Sequence, residues 1–134
     1  MKRFYFISIF SFISIFLISG VSAQEENPIK FKLEKSSPNT YQLRLVHPDN
    51  FGVQKDAPHR ILMNPGPGLK VVSADLKLKG KTSTRKKEYF ETVDPMQVKL
   101  EGKGDLEIHA KIFYCDYNRN ICIPGKVLQK EVIQ

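Results

Sequence analysis

Hydrophobic and polar residues alternate along most of the chain beyond residue 23, and alternation with a period of two is the mark of half-buried β-strands. No stretch keeps a helical apolar stripe. The expected strands are Ile29–Glu34, Tyr41–Leu45, Leu69–Lys79, Met96–Glu101, Leu106–Tyr114 and Lys126–Ile133. About six or seven short strands in so small a chain predict an all-β fold, an immunoglobulin-like antiparallel β-sandwich, with a small barrel as the alternative.

The first 23 residues have the layout of an export signal. Met1-Lys2-Arg3 carries positive charge, Phe4–Ile18 is uncharged, and Gly20-Val21-Ser22-Ala23 offers the small residues that signal peptidase needs. We therefore predict a signal peptide over residues 1–23 and one mature domain over residues 24–134, in a periplasmic or secreted protein. An uncleaved anchor is the alternative, because the uncharged run could just span a bilayer of about 30 Å. After cleavage no integral membrane segment is expected.

The mature domain is expected to be modestly basic. Two of the 21 lysines and arginines belong to the signal. The mature domain therefore has 19 basic and 14 acidic residues, and its net charge is +5. The basic run Lys79–Lys87 is interpreted either as a docking patch for an acidic partner or an anionic surface, or as a solvated hairpin loop. No aromatic residues are interleaved with its charges, so nucleic-acid binding is not expected. His47, His59 and His109 share no metal-ligand spacing and are interpreted as surface residues, so neither a metal nor a bound cofactor is expected.

The sequence has only two cysteines, Cys115 and Cys122, and they bracket the polar turn Asp116–Asn120. In an exported protein such a pair indicates either thiol–disulfide exchange or a staple across a hairpin. Closing so short a loop stabilises a domain by only about 2 to 3 kcal/mol, which weakens the staple interpretation without removing it. A thioredoxin-type site is excluded, because the chain has no Cys-x-x-Cys and no alternation of strands and helices.

Exchange would require electropositive help for the thiolate, which is the attacking species. The local candidates are Arg119, Lys111 and Lys126, and the charge of Asp116 acts against them. These residues alone leave both interpretations of the cysteine pair open.

The cysteine segment resembles a known family. Leu106–Lys126, with its strand, aromatic residues before the first cysteine, polar turn, second cysteine and following proline, resembles the cysteine-bearing strand pair of the periplasmic N-terminal domain of the thiol:disulfide interchange protein DsbD, also called the disulfide-bond corrector family. Asp56–Pro65 followed by Gly68–Val71 is similar to an early strand of that family, where an Asn-Pro turn recurs. Tyr89–Leu100 resembles the extended stretch before the cysteine strand.

The resemblance implies an immunoglobulin-like sandwich whose pair, Cys115 and Cys122, cycles between disulfide and dithiol. Such a module relays electrons between thioredoxin-fold or other redox proteins. If active, the chain would be a thiol–disulfide oxidoreductase without a bound cofactor. By the same resemblance, Cys122 would form the mixed disulfide with a partner and Cys115 would resolve it.

The chain also differs from that family. Six residues separate its cysteines where the family member used for comparison has five, and Pro124 follows Ile123 in place of two successive prolines. A loop with an aromatic residue shields the pair in the family. The corresponding region, Gly80–Lys87, has no aromatic residue, and Tyr89 and Phe90 lie just beyond it.

Overall fold

The structure of the protein, a computed structural model, describes residues 27–134, so the expected signal peptide and its cleavage site lie outside the described residues. These residues form ten β-strands and no helix. The strands are β1 (Lys30–Ser37), β2 (Thr40–Val46), β3 (Phe51–Gln54), β4 (Arg60–Pro65), β5 (Leu69–Ala74), β6 (Gly80–Thr82), β7 (Tyr89–Val93), β8 (Met96–Gly102), β9 (Gly104–Asp116) and β10 (Ile121–Ile133). The all-β prediction is confirmed.

The strands form two antiparallel sheets, consistent with the predicted immunoglobulin-like β-sandwich. The first sheet has the order β1-β2-β8-β5. In the second, β10 pairs with one side of β9, and the other side of β9 pairs first with β4 and then, near its end, with β3. β7 and β6 continue this sheet beyond β3. The long strand β9 therefore has three neighbours.

The core lies between the sheets and follows from the alternation of side chains. Leu43 of β2, Val98 of β8 and Ile112 of β9 are each 0% exposed, and the residues beside them in sequence point away from the core. Burying one such aliphatic side chain contributes roughly 1.5 to 3 kcal/mol. The period-two pattern of the sequence therefore indicates which face of each strand is buried.

Four strands, β3, β4, β6 and β7, were not among those expected from alternation. Two of them are too short to show it, since β3 has 4 residues and β6 has 3. The expected strand Leu69–Lys79 is also too long and ends at Ala74. Just beyond it Asp75 accepts the Lys77 N–H at 3.4 Å and the Lys79 Nζ at 2.7 Å. An aspartate bonded to the backbone two residues on favours a turn over a strand.

Side chains bridge the two sheets where their edges meet. Asn27 Nδ2 donates to the Lys126 carbonyl on β10 at 2.7 Å. The Phe31 N–H on β1 donates to Gln129 Oε1 on β10 at 3.2 Å. These bonds hold β1 beside β10 without a backbone ladder between them.

We expect Ile112→Ala to lower the free energy of unfolding by about 2 to 5 kcal/mol, because it leaves a cavity where the sheets pack. Val132→Ala removes the same kind of atoms from a side chain that is 66% exposed. This control should stay within about 0.5 kcal/mol of the wild type. Denaturant unfolding followed by circular dichroism measures both values, and equal losses would contradict the assignment of the core.

Candidate functional site

The two cysteines lie directly opposite each other on β9 and β10 and form a disulfide. Their Cα atoms are 3.9 Å apart. Cys115 is the second-last residue of β9 and Cys122 the second residue of β10, so the bond crosses the hairpin next to its turn. The sequence placed the pair around this turn, and that placement is confirmed.

Asp116 organises the turn after Cys115. This buried carboxylate accepts the Asn118 N–H at 2.9 Å and, on its other oxygen, the Arg119 Nε at 2.7 Å. The hydrogen bond from Arg119 is the largest cause that lowers the pKa of Asp116, and the backbone N–H groups add to it. Asn120 completes the turn in the left-handed region with φ 53°, which asparagine tolerates well.

This arrangement changes the role expected for Arg119. It was a candidate for lowering a thiol pKa, but its guanidinium is held by the carboxylate of Asp116 at the tip of the hairpin. The other two candidates, Lys111 and Lys126, pair with each other four residues along the strands from the cysteines.

Tyr89 is the side chain that contacts the disulfide. Its hydroxyl donates to Cys115 Sγ at 3.1 Å and lies 3.8 Å from Cys122 Sγ. β3 brings it there, because Gly52 pairs with Cys115 while the next-but-one residue, Gln54, pairs with Tyr89. A hydroxyl that donates to a sulfur stabilises the thiolate form more than the neutral form.

A second aromatic ring extends this cover. The ring of Tyr117 meets that of Tyr89 edge to face, with centroids 5.5 Å apart, and Lys86 Nζ lies 4.3 Å from the Tyr117 centroid. Burial raises the pKa of the Tyr117 hydroxyl, and the nearby Tyr89 adds to the shift. A Cβ atom at Gly52 would overlap the Tyr117 hydroxyl, so glycine at this position leaves the room that the ring occupies.

The aromatic rings near the disulfide come from outside the region that corresponds to the family's shielding loop. The region Gly80–Lys87 contributes no ring, but Tyr89 from the following strand and Tyr117 from the cysteine turn do. The sequence showed Tyr89 just beyond the aligned region. It gave no signal for Gly52 or for Tyr117, because their roles depend on strands that pair over long distances.

The two cysteines differ in exposure. Cys115 is 3% exposed, whereas Cys122 is an exposed residue at the start of β10. The Tyr89 hydroxyl lies closer to the buried cysteine, 3.1 Å from Cys115 Sγ against 3.8 Å from Cys122 Sγ. The disulfide is therefore asymmetric, with Cys115 buried and more closely hydrogen-bonded and Cys122 exposed.

The basic run Lys79–Lys87 lies at the neighbouring hairpin. β6 forms part of the run and pairs with β7 just beyond it, so the run lies in a β-hairpin, as the hairpin interpretation expects. Lys81 forms an ion pair with Glu91 at 2.8 Å, and Lys79 forms one with Asp75. The docking interpretation of this run stays a prediction.

The surface interpretation of the histidines is wrong for His59, which is half-buried against the ring of Phe113. Its Nδ1 accepts the Phe113 N–H at 3.1 Å, so its Nε2 carries the proton and donates to the Gln54 carbonyl at 2.6 Å. Burial lowers the pKa of His59 below 6.5, although the bond to Gln54 opposes the shift. Within residues 27–134 no group of three histidines, cysteines or carboxylates is placed to hold a metal ion.

Comparison with known proteins does not assign the chain to a family. No protein-family model matches it, and no curated protein sequence does. In the part of the chain that the structure describes, there is no helix long and apolar enough to cross a membrane.

We expect the protein to lose stability as the pH falls below 6.5, the ordinary pKa of histidine. In this range the unfolded chain binds a proton at His59 that the folded chain binds only at lower pH, so the free energy of unfolding rises with pH. His59→Gln should reduce the slope of unfolding free energy against pH between about 5 and 6.5. Urea unfolding at several pH values measures the slope. If His59→Gln shows the same slope as the wild type, His59 is not the group that causes the pH dependence.

Proposed function

We propose that the protein is an exported thiol–disulfide exchange module, periplasmic or secreted, that relays electrons between redox proteins through Cys115 and Cys122. The observation that carries this proposal is the asymmetry of the disulfide. Exchange needs one sulfur that a partner can reach and a second that leaves easily as a thiolate. Cys122 is exposed, and Cys115 Sγ accepts a hydrogen bond from the Tyr89 hydroxyl, so the two cysteines match these two requirements.

The exchange proceeds in two balanced steps. A partner thiolate attacks Cys122 Sγ, a bond forms between the two proteins, and the electron pair of the broken disulfide leaves on Cys115 Sγ beside the Tyr89 hydroxyl. The second thiolate of the partner then attacks the partner's own sulfur in the mixed disulfide and releases Cys122 as a thiolate. Protons from water complete the dithiol. The partner dithiol is oxidised by two electrons, and the reverse sequence passes them to another disulfide.

The resemblance of the cysteine segment to the N-terminal domain of DsbD supports the same function and the same order of attack. It makes Cys122 the residue that joins the partner and Cys115 the resolving residue. Thioredoxin-fold proteins are the partners that this resemblance suggests. The exchange itself uses no bound cofactor.

The extent of strand pairing argues against a purely structural role. β9 and β10 pair through 13 residue pairs, so the hairpin has a continuous ladder apart from the covalent bond. The bond closes a loop of only a few residues, and such a bond contributes roughly 2 to 3 kcal/mol. Opening it should therefore leave the sandwich folded, which a redox cycle requires.

The order of attack can be tested with single-cysteine variants. In Cys115→Ala the exposed Cys122 remains, and in Cys122→Ala the buried Cys115 remains. We expect the first variant to react at least about tenfold faster with 5,5′-dithiobis(2-nitrobenzoate), because reaction needs an accessible thiolate. Only the first should trap a thioredoxin-fold partner as a mixed disulfide, seen on a non-reducing gel.

Two controls make this test decisive. Both variants should react equally fast in urea, where the difference in burial is lost. The wild type should keep its far-ultraviolet circular dichroism after mild reduction, since the cross-link is not needed for the fold. Equal reactivity of the two folded variants would contradict the proposed order of attack. Unfolding of the wild type on reduction at room temperature would favour a purely structural role for the disulfide.

The hydroxyl of Tyr89 should assist the leaving sulfur. Tyr89→Phe keeps the ring and removes the donor, so we expect reduction of the disulfide by dithiothreitol to slow about tenfold, the scale of a hydrogen bond to a charged group. Tyr117→Phe removes a hydroxyl from the neighbouring ring and should change the rate far less. Quenched samples analysed by mass spectrometry give the rates. Equal effects of the two substitutions would show that the rings act only as a cover.

A further inference from the structure

Three cations lie side by side on the outer face of the second sheet. Arg60 of β4 pairs with Lys111 of β9, and Lys111 pairs with Lys126 of β10, so the three form one row across three adjacent strands. All three residues are exposed. Their neighbours Ile61 and Ala110 are buried, which places the row on the face that points away from the core. We call Arg60, Lys111 and Lys126 the cation row.

The cation row has no counter-charge within residues 27–134. The carboxylate nearest along β9, Glu107, is bonded instead to His109 and Lys130. Lys111 lies 5.2 Å from the ring centroid of Phe113, and no ion pair is formed by any member of the row in the described part of the chain. Like charges directly opposite each other destabilise a sheet. Apart from the contact of Lys111 with the Phe113 ring, no favourable charge interaction within the described residues offsets this repulsion, which points to a use outside the fold.

An apolar row lies beside the cations. Leu62, His109 and Leu128 pair across the same three strands, and the two leucines are 51% and 61% exposed. Together the two rows line a shallow groove. Exposed leucines next to unpaired cations suit a segment that carries both carboxylates and apolar side chains.

This groove lies on the same face as the disulfide. Lys111 and Cys115 are four residues apart on β9, as are Cys122 and Lys126 on β10, so each pair shares a face of the sheet. At the rise of a β-strand, four residues correspond to roughly 13 Å. Phe113 and Pro124 pair between them and make the surface continuous. A segment of moderate length that binds the groove would thus extend to Cys122.

We propose that the cation row and its flanking leucines are the docking surface for an acidic, partly apolar segment of the redox partner, which presents its thiol to Cys122. The inference rests on the proposed exchange function and names the chemistry of the partner. The row is a better candidate than the basic run Lys79–Lys87, because Lys79 and Lys81 of that run already have carboxylate partners, whereas no member of the row has one within residues 27–134.

Binding can be tested without any exchange chemistry. The probe is a fluorescent peptide that carries three glutamates, two leucines and a serine in place of the reactive cysteine, compared with the same peptide carrying glutamines. Anisotropy should show that the glutamate peptide binds the full mature chain about tenfold more tightly at low salt, since each exposed ion pair contributes a modest amount. The preference should disappear at about 1 M salt, where screening acts within about 3 Å.

Matched variants locate the site. Arg60→Gln, Lys111→Gln and Lys126→Gln together should abolish the preference for the glutamate peptide. The control combines Lys32→Gln, Lys70→Gln and Lys99→Gln, which removes the same charge from exposed positions on the other sheet. The control should keep the preference. Equal losses in both triple variants would overturn the proposal, because the effect would then follow net charge alone.

A kinetic arm separates the docking surface from the exchange function. With cysteine restored in place of serine, the single thiolate of the glutamate peptide should form the mixed disulfide with Cys122, releasing Cys115 as a thiolate, about tenfold faster than that of the glutamine peptide, and only in the wild type and the control. Specific binding without formation of the mixed disulfide would sustain docking and refute exchange. Formation of the mixed disulfide at equal rates by both peptides would sustain exchange and refute docking. The docking proposal would also be refuted if the protein bound vesicles of phosphatidylcholine with phosphatidylglycerol but showed no preference for the glutamate peptide.

Discussion

The antiparallel pairing of β9 with β10 is the constraint on which the rest of the structure depends. It runs through 13 residue pairs without a register shift, and β9 also carries β4 and β3 on its other side. A slip of one residue would move every side chain of a strand to the opposite face. It would turn Ile112 out of the core and take Cys115 out of line with Cys122. The same register thus fixes the core, the disulfide and the cation row.

The surroundings of the disulfide are assembled from segments that are distant in sequence. The hydroxyl of Tyr89 reaches Cys115 across 26 residues, and it does so because the short strand β3 lies between their strands. Gly52 on β3 provides the space that the Tyr117 ring occupies. The buried sulfur therefore has a fixed polar contact, while the turn that contains Arg119 is held separately by Asp116.

The sequence predicted the parts of this molecule that depend on local pattern. Alternation located β1, β2, β8, β9 and β10, and the spacing of the cysteines around a polar turn located the hairpin, because both signals act over a few residues. The end of β5 was missed; just beyond it, the side chain of Asp75 bonds to Lys77 and Lys79, a local contact that alternation does not reveal. The contact of Tyr89 with sulfur and the burial of His59 depend on which strands become neighbours. Composition and period do not contain that information.

The bridging side chains at the sheet edges have a consequence for solubility. Among the described strands, β10 has one long edge without a paired neighbour, and such edges can recruit strands from other copies and lead to aggregation. Here Pro124 offers no N–H to an incoming strand, and the carbonyl of Lys126 is already bonded to Asn27. Gln129 occupies the Phe31 N–H on the neighbouring edge of β1. A foreign strand would therefore find the edge of β10 interrupted at Pro124 and Lys126, the part of the strand that follows Cys122.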